Sequence, residues 1–332
     1  MDKCDRPVAI FVDRENTWIV DQARRYYPNA EFTTHTTPGG TPVLYVILVS
    51  PEDVQSLQGL TVSYWAGATV QGNPAAVQIA KSFSANLADG APVAAPFVAQ
   101  WQSTLYAPQY GDYELILTSP ANATAWLDEQ QILNGSGKQR ATVKLAQGDH
   151  TLRVQAASGS GNFNFQWQRP NASGAVEGDP TDIPASSLYL PDTVPAAGLL
   201  GAYYNGDAWT PPPVFTRVDP FIDTYFHIIP LGRPFTVDWT GQINLPSSGN
   251  WAFGLRIHGR AEVFVDDQSV VNATQPADYI EGQAALSGGW HNIRIHYLDY
   301  LGGSRIHLYW TPPGNSNREI VPTSALRPYA LP

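Results

Sequence analysis

The sequence predicts a mainly β protein: two antiparallel β-sandwiches in tandem behind a small N-terminal α/β unit. Three observations carry that prediction. The first is an internal repeat at an offset of 138 residues, which aligns Phe97 and Trp101 with Phe235 and Trp239, and Asp128 and Asn134 with Asp266 and Asn272. The offset widens to 141 at Gly148, His150 and Arg153 against Gly289, His291 and Arg294, then to 143 at Trp167 against Trp310. It returns to 138 at Pro184 and Leu188 against Pro322 and Leu326, so the insertions fall in loops. The second is composition: 28 Gly and 28 Pro beside 10 Trp and 16 Tyr, with only 14% charged residues, describes short strands joined by tight turns. The third is strict alternation, which places Tyr113, Leu115 and Leu117, and likewise Trp251, Phe253 and Leu255, on one face of a strand.

Residues 1–58 form a preface of different character. Val8 to Val12 reads as a buried strand, and Asp13 as the cap of a helix with Ile19, Ala23 and Tyr26 on one stripe. Pro28 ends that helix. Glu31 to Thr37 is a Thr-rich strand, Val43 to Val49 a β-branched run suited to a central strand, and Ser50 caps a short helix with Pro51 at its first position. So small a unit has few faces to bury, and it is expected to pack against the first repeat. The repeats occupy 59–190 and 198–332 with a linker at 191–197, and open with LTVSYWAG and LLGAYYNG.

The last strands of the second repeat read as a hairpin about Gly302, pairing Tyr297 with Ile306 and Ile295 with Leu308. Its outward face then carries Arg294, Arg305, His307 and Tyr309, with His296 directly across from His307. The first repeat offers Arg153, Gln155, Asn164 and Gln166 there, and Gly159 to Gly161 reads as its hairpin turn. The two histidines are either ordinary surface residues or two ligands of a zinc or nickel site with Asp299 nearby, although catalytic zinc needs three protein ligands. His150 and His291 begin strands, where a structural hydrogen bond suits them.

Net charge is −10 with no basic run, so nucleic acid is not the expected partner. The longest apolar run, Val43 to Val49, is too short to cross a bilayer, and no signal-peptide layout stands at the N-terminus. The single cysteine, Cys4, excludes an internal disulfide and a thiolate cluster. Low charge and many Asn, Thr, Trp and Tyr residues suit an exported surface protein, and the missing address suggests an excised part of a longer polypeptide. No nucleophile elbow, phosphate loop or cysteine with a matching base appears, so the motifs point to no catalysis within this stretch. Four Asn-X-Ser/Thr sequons, at Asn122, Asn134, Asn171 and Asn272, are what polar loops generate by chance.

The second repeat, with GLLGAYYNG, a central W-T-G, SSGNWAFGLRIHGRAEVFVDDQSVV, GGWHNIRIHYLDYLGGSRIHLYW and a closing IVPTSALRP, resembles a PA14 domain over roughly 198–328. By internal alignment the first repeat is a diverged copy. The resemblance implies a β-sandwich of surface proteins, and in fungal adhesins of the family a calcium ion held by two adjacent aspartates binds the sugar. Here that slot reads Ile257 His258 Gly259 in the second repeat and Ser119 Pro120 Ala121 in the first, without a carboxylate. A calcium site stripped of both acids binds the ion poorly, so no metal and no cofactor is expected. The adjacent pair Asp266 Asp267 aligns instead with Asp128 Glu129 in a strand, turn, strand pattern, where Asp turns the backbone.

Aromatic residues in loops are the remaining hint, because sugars stack their C–H faces on aromatic rings while their hydroxyls seek polar groups. The candidate ligand-binding residues are Trp209, Tyr225, Tyr279 and Tyr300, with Asp207, His258, Arg260 and Asp299; each also fits a place in a core. The preface segments VAIFVDRENTWIVDQARRYYPNA and PGGTPVLYVILVSPED resemble the soluble tail of multi-spanning glycosyltransferases that use lipid-phosphate sugars. The expectation is an extracytoplasmic module that binds glycan or a cell-envelope polymer, or positions a membrane-embedded catalytic part of the same polypeptide. The alternatives are an accessory domain of a secreted glycoside hydrolase, and a structural spacer or adhesion module.

Overall fold

The computed structural model describes residues 6–14, 16–87, 91–225 and 229–328. Cys4 lies outside them. The preface comprises β1 (Val8–Asp13), α1 (Trp18–Tyr26), β2 (Glu31–Thr36), β3 (Pro42–Val49) and α2 (Pro51–Leu57). The first repeat comprises β4 (Leu60–Ala66), β5 (Ala76–Ala80), β6 (Ala85–Asn86), β7 (Phe97–Ala107), β8 (Gly111–Leu127), β9 (Gln130–Leu145), β10 (Gly148–Ala157), β11 (Asn162–Gln168), β12 (Thr181–Asp182) and β13 (Leu188–Tyr189). The second begins with β14 (Leu199–Asn205), β15 (Phe215–Asp219), β16 (Asp223–Tyr225), β17 (Phe235–Leu245), β18 (Gly249–His258) and β19 (Arg260–Val265). It continues through β20 (Gln268–Ala273), β21 (Ala277–Leu286), β22 (Gly289–Asp299), β23 (Arg305–Thr311), β24 (Glu319–Ile320) and β25 (Leu326–Arg327).

In the preface, β3 is the central strand of the order β1-β3-β2, as its β-branched run predicts. Ser50 caps α2 by accepting from the Asp53 amide at 3.0 Å, with Pro51 first in the helix. Two expectations fail. β1 is an edge strand with only Val12 buried and Phe11 67% exposed. Asp13 ends β1 and accepts from the Asn16 amide at 3.0 Å, so it braces a turn, and α1 starts at Trp18 with no side-chain cap. The placement of the preface also differs. α2 joins the first repeat through the Leu190 amide, which donates to Leu57 at 2.9 Å. α1 reaches the second repeat: Trp18 Nε1 donates to Asp223 at 2.8 Å, and its ring meets Phe221 edge-on at 4.9 Å.

Each repeat buries one core between two antiparallel layers. Tyr113, Leu115 and Leu117 are fully buried in the first, and Trp251, Phe253 and Leu255 in the second, so alternation identified the inward faces. In the second repeat one sheet runs β15-β14-β17-β22-β19-β20 and the other β16-β23-β18-β21. Main-chain hydrogen bonds join the two repeats. The Gln147 amide donates to Thr216 at 2.9 Å, the Val218 amide donates back to Gln147 at 2.7 Å, and Gln147 forms a parallel bridge with Arg217.

The predicted terminal hairpin is not one. β22 pairs with β17 and β19, whereas β23 pairs with β16, β18 and β24 in the opposite sheet. Residues 300–304 carry the chain across the sandwich, and Tyr297 and Ile306 face the core from opposite sides. The first repeat does the same at 158–161, between β10 on β7 and β11 on the front half of β8. An inward-facing pattern is identical for a hairpin and for such a crossing, which is why the sequence did not separate them.

Candidate functional site

The crossing places His296 and His307 on opposite outer faces of the second sandwich, so they cannot share a metal ion. His307 Nδ1 pairs with Asp223 on β16. His296 lies beneath Trp209, stacked at 4.7 Å, with Phe264 edge-on at 5.5 Å and Asp238 at 3.4 Å. Burial under these rings holds its pKa below the ordinary value against the pull of Asp238. Trp209 also donates Nε1 to the Val237 carbonyl at 3.0 Å, so its ring packs along the sheet.

Most of the predicted ligand residues gather at one end of this sandwich. Asn205 sits opposite Phe235, which sits opposite Asp299, so the loops after β14 and β22 share an end with the His258–Arg260 step between β18 and β19. Gly259 makes that step possible: its φ is +140°, and an added Cβ would lie 2.5 Å from the Leu298 carbonyl oxygen. His258 Nδ1 is 3.1 Å from the Gly303 carbonyl oxygen, and the Arg260 guanidinium lies 5.4 Å over the Tyr300 ring, which is 37% exposed. Asp207 is exposed in the loop after β14.

Asp299 is at the same end but fully buried. It accepts from Arg233 Nε at 2.9 Å and from the Tyr297 hydroxyl at 3.3 Å, while the other arm of Arg233 donates to the buried Ser304 hydroxyl. It therefore pins the loops at 233 and 304 from beneath. Burial, then the charge of Asp299, pushes the Tyr297 hydroxyl well above its ordinary pKa. Sequence reasoning missed Arg233 and Ser304. The available signal was the replacement of Ala95-Pro96 by Arg233-Pro234 and of Ser158 by Asp299 at matched repeat positions.

Two candidates lie elsewhere or out of view. Tyr279 rests on the outer face of the other sheet, directly over Gly254, where an added Cβ would meet its hydroxyl at 2.4 Å. It donates to Glu281 at 2.9 Å, with Arg318 over its ring at 3.9 Å, and burial followed by the Glu281 carboxylate pushes its pKa up to about 12. Tyr225 pairs with Arg305 along the main chain, and its side chain lies outside the described residues.

Asp266 and Asp267 have φ of +48° and +63°, and Asp128 and Glu129 have +47° and +66°, the two-residue turn in which both central residues are left-handed. Asp266 accepts from the Asn292 amide at 2.9 Å and holds His291 Nδ1 at 2.6 Å. Asp128 does the same with the Thr151 amide at 2.9 Å and His150 at 2.6 Å. The opposite imidazole nitrogens meet the Ser287 and Ala146 carbonyls, each at 2.9 Å. These are structural hydrogen bonds. The calcium slot known from the family's adhesins does not fit the residues present: His258 is turned to Gly303, Ser119 and Pro120 supply no carboxylate, and Asp299 is neutralised by Arg233.

A family model of the PA14 domain matches residues 56–179 and 195–324. The chain belongs to the PA14 domain family, in two copies. No curated protein matches it. Among solved structures it is similar to an anti-sigma factor domain-containing protein from Clostridium clariflavum, at 19% identity and a TM-score of 0.36, covering 82% of this chain and 99% of that one. It is also similar to a PA14 sugar-binding domain from an RTX adhesin, at 19% identity and a TM-score of 0.33, covering 40% and 98%. A third is the epithelial adhesin 9 A domain from Candida glabrata in complex with Galb1-3GlcNAc, at 14% identity and a TM-score of 0.31, covering 38% and 87%. Among the described residues no helix is long and apolar enough to cross a membrane.

Proposed function

We propose that this chain is a non-catalytic carbohydrate-binding module that works outside the cytoplasm, with the loop end of the second sandwich facing glycan or a cell-envelope polymer. The observation that carries this reading is the polar and aromatic cluster of His258, Arg260 and Tyr300 over the buried Asp299–Arg233 pair. An exposed tyrosine offers a flat face to sugar C–H groups, and a guanidinium and carbonyls beside it offer partners to hydroxyls. Asp207 belongs to the same rim, and Asp299 acts as a positioning residue beneath it. The finer reading is that the parent polypeptide is a membrane glycosyltransferase and this is its soluble part, supported by the resemblance of the preface. Whether the gene encodes multiple apolar spans in the same polypeptide tests that part separately.

The test of binding is a glycan array probed with the intact chain, with and without a calcium chelator, beside Tyr300→Ala and Arg260→Ala. The expected result is saturable binding that survives chelation and weakens at least about tenfold in Tyr300→Ala. Both variants should melt within about 0.5 kcal/mol of the parent, because neither side chain is buried. Retention of no glycan, or retention by both variants as strong as the parent's, overturns the reading.

A further inference from the structure

A cleft of mixed parentage lies where α1, the first sandwich, the 191–197 segment and the second sandwich meet. It has two lobes, of about 310 Å³ and about 280 Å³, and Asp149, Tyr26, Tyr27 and Val194 border both. Trp18 and Phe221 close one lobe, Tyr106 and Tyr189 the other. Asp149 sits on β10 opposite Tyr106 of β7. Among the described residues no hydrogen bond or ion pair reaches its carboxylate. Its neighbour His150 points into the core, held by Asp128 and the Ala146 carbonyl. The matched position in the second repeat is Trp290, with Arg327 over its ring, so the carboxylate is particular to this cleft.

Asp149 is half-buried with no counter-charge on its carboxylate among the described residues, and burial pushes its pKa up to about 6 against the pull of His150. A cation answers that charge, and the negative faces of the surrounding rings favour an organic cation over a hydrated metal ion. An anion is repelled, and a neutral sugar leaves the charge unanswered. We propose that this cleft binds an organic ammonium group carried on an apolar or C–H-rich body, with Asp149 as its ion-pair partner and the ring faces of Tyr26, Tyr27 and Tyr106 around it. The site needs all three parts of the chain. It is independent of the glycan reading, which concerns the loop end of the second sandwich.

The test is calorimetric or NMR titration of the intact chain with three ammonium probes, glucosamine, n-butylamine and choline, against the neutral isosteres N-acetylglucosamine and n-butanol. At pH 7.5 at least one ammonium probe should saturate while the neutral partners do not, and the tightest of the three identifies the body the cleft accepts. Asp149→Asn should weaken that probe at least about tenfold while melting no lower than the parent, since it removes an unpaired charge. Tyr106→Ala should weaken it about threefold, the loss expected for one ring of an exposed cage. Between pH 7.5 and 5 affinity should fall in the parent and stay level in Asp149→Asn; among the described residues the other titratable side chains bordering the cleft are tyrosines, with His150 turned into the core and Asp223 paired with His307 behind Trp18. Equal binding of a neutral isostere, full affinity in Asp149→Asn, or no binding of any ammonium probe overturns the proposal.

Discussion

The two sandwiches solve one geometric problem in two ways. In the first, β8 and β9 are long enough to serve both layers, and the pair bends where the register jumps from Ser119 opposite Gly137 to Ala123 opposite Gly135. In the second, the same path is cut into β18 and β19 at Gly259, and its mate into β20 and β21 at 274–276. The bulge leaves Pro120 and Ala121 at the first tip, and the crossing loop lies directly on them: a Cβ at Gly159 would be 3.0 Å from the Ala121 Cβ, and one at Gly161 3.2 Å from the Pro120 Cβ. The break at Gly259 instead leaves His258 and Arg260 pointing into a longer crossing loop anchored by Asp299. One fold thus ends in an apolar stopper on one copy and a polar rim on the other, and the difference lies in a handful of tip residues rather than in either core.

The largest expected separation between the copies comes from their anchors. Asp299→Ala leaves the Arg233 guanidinium without its buried partner and should cost about 3–5 kcal/mol in urea unfolding. Ser158→Ala, which removes only the Oγ that accepts from the Phe97 amide at 3.2 Å, should cost about 1 kcal/mol. Equal losses would show that the two tips are held alike. The break itself comes next. Gly259→Ala forces a side chain into a φ of +140° and against the Leu298 carbonyl, and should cost about 2–3 kcal/mol, whereas the exposed Pro120→Ala should stay within about 0.5 kcal/mol.

The smallest difference should lie in the shared turns. Asp128→Ala and Asp266→Ala each remove a hydrogen bond to histidine and one to an amide, a loss of about 1–3 kcal/mol, larger in the first repeat because His150 is 2% exposed and His291 8%. Burial disfavours both imidazolium ions, yet their aspartates outweigh it and raise both histidine pKa values. That contribution is full below the unfolded value of about 6.5 and is lost as pH rises through the raised folded value. At Asp266 burial opposes ionisation, and the His291 and Asn292 hydrogen bonds more than offset it, lowering its pKa. Its contribution is full above 3.8 and is lost as pH falls through the lowered value. Stability should therefore decline as pH rises above about 6.5, and His150→Gln should flatten that decline more than His291→Gln; the Asp149 contribution, spanning 3.8 to about 6, lies below this range.

Much of this was legible residue by residue. The matched Asp128 and Asp266 announced a turn in both copies, because a left-handed pair between two alternating runs demands such residues. Ser50 and Pro51 announced α2 for the same local reason. His258, Arg260 and Tyr300 could be nominated for a rim because polar and aromatic residues stood in loops, but Asp299 looked identical to them in sequence. Its burial depends on Arg233, 66 residues away. Trp209 likewise gave no sign that it would lie on His296.

Alternation with a period of two determined which side chains of β8, β18, β22 and β23 enter a core, and the 138-residue offset determined that there would be two such cores. Tertiary structure alone decided which sheet each strand joins. A side chain pointing inward satisfies the same hydrophobic demand from either layer, so β22 and β23 could have been a hairpin and are a crossing. The same holds for Trp18 at the start of α1: Val20 and Ala23 pack on the preface sheet, but Trp18 meets the second sandwich because only the folded repeats bring Phe221 and Asp223 within its reach.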